Sequence, residues 1–163
     1  MKIYFAILSL LVSILLPVFV LAADPVNPVD EQVRVSAQRL EADEKEQTVV
    51  FSGKVQARKA NMTIYADKMT LLFNKDNREE IDRVEIDGRL RIVQEDRIAT
   101  ADHGVFYNSE GRILLSGNAE VHQGNNRIVG DEIEYYLDES RSVVKSQPDS
   151  RVNAIFSTGG TEK

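Results

Sequence analysis

Two histidines, His103 and His122, are the only side chains of their kind in this 163-residue chain, and it has no cysteine. Asp102 stands directly before His103. An acid beside a histidine is two-thirds of a Ser/His/Asp relay, in which the carboxylate orients the imidazole that activates a hydroxyl. Asp102 is not a solitary aspartate, however. A small residue followed by a polar one recurs along the chain as Ala37-Gln38, Ala66-Asp67, Ala101-Asp102 and Gly130-Asp131. A carboxylate at a repeated structural position reads more simply as a turn residue that hydrogen-bonds its own backbone. Two histidines without cysteine make a poor zinc set. No G-x-S-x-G elbow and no phosphate-cradling glycine loop is present. Gly53, Gly88 and Gly117 follow three of the openings and read as strand bends or bulges rather than as points of ligand approach. The residue set implies no enzyme, no metal and no cofactor.

The elements that hold these residues repeat. Residues 53–73 lie on residues 117–137 without a gap, 64 positions later: Ile64 on Ile128, Asp67 on Asp131, Met69 on Ile133, Leu71 on Tyr135. Residues 49–53 (VVFSG) likewise lie on residues 113–117 (ILLSG). Self-similarity at a fixed period marks a repeat architecture whose unit cannot bury its apolar face alone. Within each copy apolar and polar residues alternate, as in half-buried strands. Val33 and Val35 open the pattern. Val49, Phe51 and Val55 follow, then Ile64, and then Met69, Leu71 and Phe73. Past a polar insertion at residues 74–80 come Val84 and Ile86, then Leu90 and Ile92, and Tyr107 in phase with Val105. Ile113, Leu115 and Val121 lead to Ile128, then to Ile133, Tyr135 and Leu137. No mature stretch keeps a 3.6-residue period over ten residues, so the expectation is an all-β chain of many short antiparallel strands. Stacked in this way, the hairpins make a narrow two-walled body with an apolar inner face. Its first and last strands are exposed edges, around Val33, Arg34 and Val35 at one end and Val152, Ala154 and Phe156 at the other.

Residues 1–23 carry Lys2, an apolar run from Ile3 to Leu16, Pro17 and small residues at Ala22 and Ala23, the pattern of a secretory signal peptide. The same run is about long enough to span a bilayer if it is kept. Residues 24–32 read as a flexible lead-in with Pro25 and Pro28, residues 33–156 as the folded domain and residues 157–163 as a polar tail. The formal net charge of −6 disfavours nucleic acid, whose phosphates demand a basic surface.

The segments around Val35-Ser36-Ala37, Val49 to Val55, Ile64 to Met69, Ile113 to Ala119 and Ile128 to Tyr135 resemble the OstA-like family, on its periplasmic lipopolysaccharide-transport branch. The resemblance spans about residues 33–156. It implies a twisted open β-jellyroll of about 16 antiparallel strands, with the inner apolar residues listed above lining a groove for the lipid A acyl chains of lipopolysaccharide. It also implies head-to-tail self-association through the two edges. The implied partners are an LptC-type inner-membrane protein and the amino-terminal domain of an LptD-type outer-membrane protein. Basic residues such as Lys54, Arg58, Lys68, Arg89 and Arg91 would either meet phosphates at the rim or be plain solvated strand residues. An inner-membrane-anchored member of the same bridge, or an assembly module without a lipid, are the other readings. The fate of residues 1–23 separates the first of these from a soluble periplasmic protein.

Overall fold

The structure, a computed structural model, describes residues 32–157. The expected signal segment lies outside the described residues, as do the lead-in and the tail apart from Gln32 and Ser157. The described chain is one antiparallel sheet of ten strands: β1 (Arg34–Ser36), β2 (Arg39–Asp43), β3 (Thr48–Lys59), β4 (Met62–Phe73), β5 (Ile81–Gln94), β6 (Arg97–Tyr107), β7 (Arg112–Gln123), β8 (Asn126–Tyr136), β9 (Arg141–Lys145) and β10 (Asn153–Ile155). Their order is β1-β3-β4-β5-β6-β7-β8-β10, with β2 also on β3 and β9 also on β8. The short strands β1 and β2 thus run end to end along β3, and β9 and β10 run end to end along β8. Short connections join the long strands in order, the longest being residues 74–80 between β4 and β5, so neighbours in sequence are neighbours in space.

Every long strand is bent near its middle, and the register shows where. The β3–β4 ladder slips between Ser52↔Lys68 and Val55↔Ala66, and the β7–β8 ladder slips 64 residues on, between Ser116↔Glu132 and Ala119↔Gly130. The β4–β5, β5–β6 and β6–β7 ladders slip on the same line across the sheet, and β4–β5 slips a second time, between Leu72 and Phe73, at the strand end. Each odd-numbered long strand crosses that line with two left-handed residues, Gly53 and Lys54, Gly88 and Arg89, or Gly117 and Asn118. Such a pair is a β-bulge, which bends the strand and tightens its twist. The bend divides the sheet into two walls. One, here called the β2 wall, is edged by β2 and β9; the other, the β1 wall, is edged by β1 and β10.

The bend corrects two expectations. The structure has ten strands rather than about sixteen, because Gly53, Gly88 and Gly117 bend long strands without ending them. The recurring aspartates are not self-bonded turn residues. They reach across the corner to the next strand. Asp67 accepts from Arg89 Nε at 3.0 Å and Nη2 at 2.5 Å, and Asp102 accepts from Asn118 Nδ2 at 2.8 Å. Asp131 accepts from the Gln147 amide at 2.8 Å and from Ser150 Oγ at 2.5 Å, where the chain leaves the sheet between β9 and β10. At the first rung Gln38 stands in place of the acid, and its backbone N–H donates to the Gly53 carbonyl at 2.9 Å.

These side chains lie directly against the glycines. A Cβ on Gly88 would stand 2.5 Å from Asp67 Oδ2, and one on Gly117 2.7 Å from Asp102 Oδ2. Gly88→Ala therefore combines a left-handed backbone at φ +75° with a clash. It is expected to lower stability by about 2–3 kcal/mol. Gly124→Ala, at φ +55° with nothing within 4 Å of the new carbon, is expected to lose only about 1 kcal/mol. Urea denaturation of the two variants checks the ranking.

Candidate functional site

The inner angle of the bent sheet is the one continuous apolar surface among the described residues. Antiparallel partners share a face, so the registers sort the inner side chains into rungs. Next to the corner on the β2 wall are Phe51, Met69, Ile86, Gly104, Leu115 and Ile133. Further out on the same wall are Val49, Leu71, Val84, Phe106, Ile113 and Tyr135. On the β1 wall Val55, Ala66, Leu90, Ala101, Ala119 and Gly130 flank the corner. Val35, Ala57, Ile64, Ile92, Ala99, Val121, Ile128 and Ala154 form the outer rung.

Burial grades outwards from the corner. Met69, Ile86, Leu115 and Ile133 are buried, as are Val55, Leu90 and Ala119. The next rung out is half-buried on both walls, except that Ala57 is buried and Ala154 exposed. Large side chains close the corner by filling gaps left by glycines. A Cβ on Gly104 would fall 2.5 Å from Leu90 Cδ2, and one on Gly130 2.5 Å from Val144 Cγ1. Beyond the corner the outer-rung side chains, among them Ile64, Leu71, Ile92 and Ile113, pack against the buried cluster and stay partly exposed. The shape is a groove with a dry floor and half-open apolar sides.

Most of the residues expected on the inner face lie on it. Three do not. Tyr107 is on the outer face, in register with Arg83 and Arg112, and the Arg112 guanidinium sits 4.1 Å over its ring. β6 crosses the crease with one residue, Asp102, against two on each neighbouring strand, so its inner positions step from Ala101 to Gly104 and Phe106 takes the inner position. Leu137 lies in the turn after β8, and Val33 precedes β1; both are exposed. Phe73 pairs with Ile81 at the outer end of the β2 wall. Of the expected edge residues, Arg34 and Val35 lie in β1 and Ala154 in β10, the first and last strands of the sheet order, with Val152 and Phe156 flanking β10.

The candidate relay is not assembled. His103 Nδ1 lies 2.9 Å from Asp87 Oδ1, while Asp102 is held by Asn118. His122 pairs with Glu120 on the outer face of the β1 wall. Among the described residues no group of three or more His, Asp and Glu side chains is placed to hold a metal ion.

The outer face is polar and cross-linked by ion pairs. Arg127 donates to Glu120 from Nε at 2.6 Å and from Nη2 at 2.8 Å, and that pair, helped by His122, pulls the Glu120 carboxyl from its usual 4.5 to about 2. Lys145, at 3.1 Å, holds the Glu134 carboxyl below its ordinary value, with Tyr136 adding a hydrogen bond.

With this geometry in view, the family described as "LptA/(LptD N-terminal domain) LPS transport protein" matches residues 34–141. The chain belongs to that family. An uncharacterized protein of Rhizobium meliloti (strain 1021) is 23% identical over 116 residues, which are 67% of this chain and 62% of that protein. The chain thus spans less than two-thirds of that relative's length. The crystal structure of LptH, the LptA-homologous periplasmic component of the lipopolysaccharide transport device of Pseudomonas aeruginosa, superposes with a TM-score of 0.68. It is 20% identical, and the match covers 80% of this chain and 100% of that one. At that identity the likeness is one of fold. The resemblance to the OstA-like family, on its LptA side, therefore stands on a family match and a shared bent sheet.

The Glu120 pair gives a pH expectation with a definite sign. A carboxyl whose folded pKa is depressed stabilises the fold fully above its unfolded value near 4.5, and the contribution is lost as pH falls to about 2. Arg127 is nearly half exposed, so solvent screening keeps the pair's contribution small. Glu120→Gln is expected to be less stable than wild type at neutral pH, with the difference shrinking below about pH 4.5 and vanishing as pH falls through about 2, as read by urea denaturation across the range.

Proposed function

We propose that this chain is a periplasmic bridge module that carries lipopolysaccharide towards the outer membrane, with the acyl chains held in the groove between the two walls. The graded apolar inner face carries this reading. An ordinary core would be covered on both sides, whereas here Ile64, Ile92, Ile128, Leu71, Ile113 and Tyr135 stay half-open along the whole sheet. Membership of the lipopolysaccharide-transport family supports the same ligand. Burying acyl chains releases about 0.8 kcal/mol per CH₂. Dispersion contacts have no fixed register, so a chain can be held and still slide. The 64-residue repeat would tile the groove with two like hairpin units.

The sheet ends fit head-to-tail extension. Val33 and Leu40 at one edge and Val152, Ile155 and Phe156 at the other are among the few large apolar side chains left exposed. Their strands each carry an unpaired row of backbone groups, which adds a neighbour's strand readily. The two edges differ, so the contact is heterologous and gives open chains. In this reading an LptC-type protein and the amino-terminal domain of an LptD-type protein would cap such a chain, and residues 1–23 would be removed on export.

One experiment addresses both ligand and stacking. A photo-crosslinking residue is placed singly at Leu71, Ile64 or Ile128, at the outward controls Thr70 and Glu134, and at Ala154 on the edge. The inner sites are expected to capture lipopolysaccharide in cells, Ala154 to capture a second copy of the chain, and the two controls neither. Equal lipid capture at Thr70 and Ile64 would sink the groove reading.

A further inference from the structure

The two walls carry opposite charge. Among the described residues the β1 wall (residues 32–38, 53–66, 88–101, 117–130 and 148–157) holds nine Lys and Arg against four Asp and Glu. The β2 wall (residues 39–52, 67–87, 102–116 and 131–147) holds nine against eighteen. The difference reaches the groove mouth. At the outer end of the β1 wall the next inward-facing rung beyond Ile64 is Lys59, Met62, Gln94, Arg97, Gln123 and Asn126, partnered in that order across the sheet. Neither Lys59 nor Arg97 makes an ion pair with a carboxylate among the described residues, and both are exposed. Two carboxylates are near, Glu95 and Asp96 in the intervening turn, and Glu95 is engaged by Asn61 Nδ2 at 2.8 Å.

The facing mouth is different. At the end of the β2 wall the inner rung continues as Phe73 and Ile81, still apolar. The hairpin tips beyond it (residues 43–47, 74–80, 108–111 and 137–140) carry nine carboxylates and three cations. An anionic group would be repelled there and paired at the opposite mouth.

We infer that the groove orients a phosphate-bearing amphiphile across its width, with the phosphates over Lys59 and Arg97 at the mouth of the β1 wall and the acyl chains towards Phe73 and Ile81 on the β2 wall. The inference rests on the groove reading above and adds a direction to it. Charge also runs lengthwise. In an edge-to-edge stack β1 and β10 both belong to the basic wall and β2 and β9 both to the acidic wall. Successive copies would then continue one basic and one acidic margin, and a sliding ligand would keep its orientation from copy to copy.

The test uses purified lipopolysaccharide and the same material after phosphatase treatment, with binding measured at low and physiological salt. The double variant Lys59→Gln/Arg97→Gln is compared with a control that removes three cations from the opposite tips, Lys45→Gln/Lys75→Gln/Arg78→Gln. Each exposed pairing lost is worth roughly twofold to fivefold in affinity. The mouth variant is therefore expected to bind intact lipopolysaccharide at least about fourfold more weakly and the dephosphorylated lipid as well as wild type does. The control is expected to bind both within about twofold of wild type. Equal losses in the two variants, or a mouth variant that still prefers the phosphorylated lipid as wild type does, would overturn the orientation while leaving the groove intact. A wild-type protein that binds neither form would instead remove the groove reading, and the orientation with it. All the substituted side chains are exposed, and unchanged thermal midpoints verify that the variants fold.

Discussion

The groove depends on one line of contacts, in which a polar side chain on one strand is set against a left-handed glycine on the next. Gln38 meets Gly53, Asp67 meets Gly88 and Asp102 meets Gly117. Asp131 meets the chain where it leaves β9, through Gln147 and Ser150. Without the glycines the strands would run straight, because L-residues resist φ near +75°. Without the side chains the opened bulge would leave its polar groups to water alone. Repeated on every second strand, the contact folds one meandering sheet along a straight crease. Asp67 and Asp131 are held ionised for that reason, Asp67 first by the Arg89 hydrogen bonds and Asp131 first by the Ser150 hydroxyl.

A crease has consequences that a flat sheet or a closed sandwich would not. Side chains near it are buried by their neighbours across the angle, which is why Leu90 fits over Gly104 and Val144 over Gly130. Side chains further out pack against that buried cluster but are only partly covered. They remain half-open yet apolar, an arrangement that invites an apolar ligand along the whole length of the sheet. The outer face needs no partner of this kind, since its arginines and carboxylates satisfy one another and stack on Tyr107 and Tyr136. The proposed carrier reading rests on family membership and on the graded face, while Asp102 and His103, which first suggested a relay, are held by Asn118 and Asp87 instead.

Much of this was legible in the residues. The alternation of Val49, Phe51 and Val55, and of Ile64 with Met69 and Leu71, places those side chains on the face they occupy, and the edge segments fall at the two ends of the sheet. Strand number was less legible, because a glycine that bends a strand and one that ends it look alike without the hydrogen bonds beyond. The phase of β6 was hidden for a related reason. Alternation counted straight from Val105 puts Tyr107 inside, whereas the step from Ala101 to Gly104 across the crease shifts the phase and puts Phe106 there. The parallel with Asp67, after which the inner residues move to Met69 and Leu71, held that information. The aspartates' partners were out of reach, since Arg89 and Asn118 become neighbours of Asp67 and Asp102 only once the register is known. The opposed charge of the two walls could be seen only after the crease had assigned each segment to its wall.

The central claim is that the inner angle is a binding surface rather than a core. Native mass spectrometry of the folded protein incubated with purified lipopolysaccharide tests it most directly. The account predicts a bound species heavier by one lipopolysaccharide molecule, lost when Ile64 and Ile128 are changed to Asp and retained when the outward Thr63 and Thr70 are changed to Asp. A folded wild-type protein that stays at its bare mass at saturating lipid, or one whose bound species survives the inner substitutions, would contradict it.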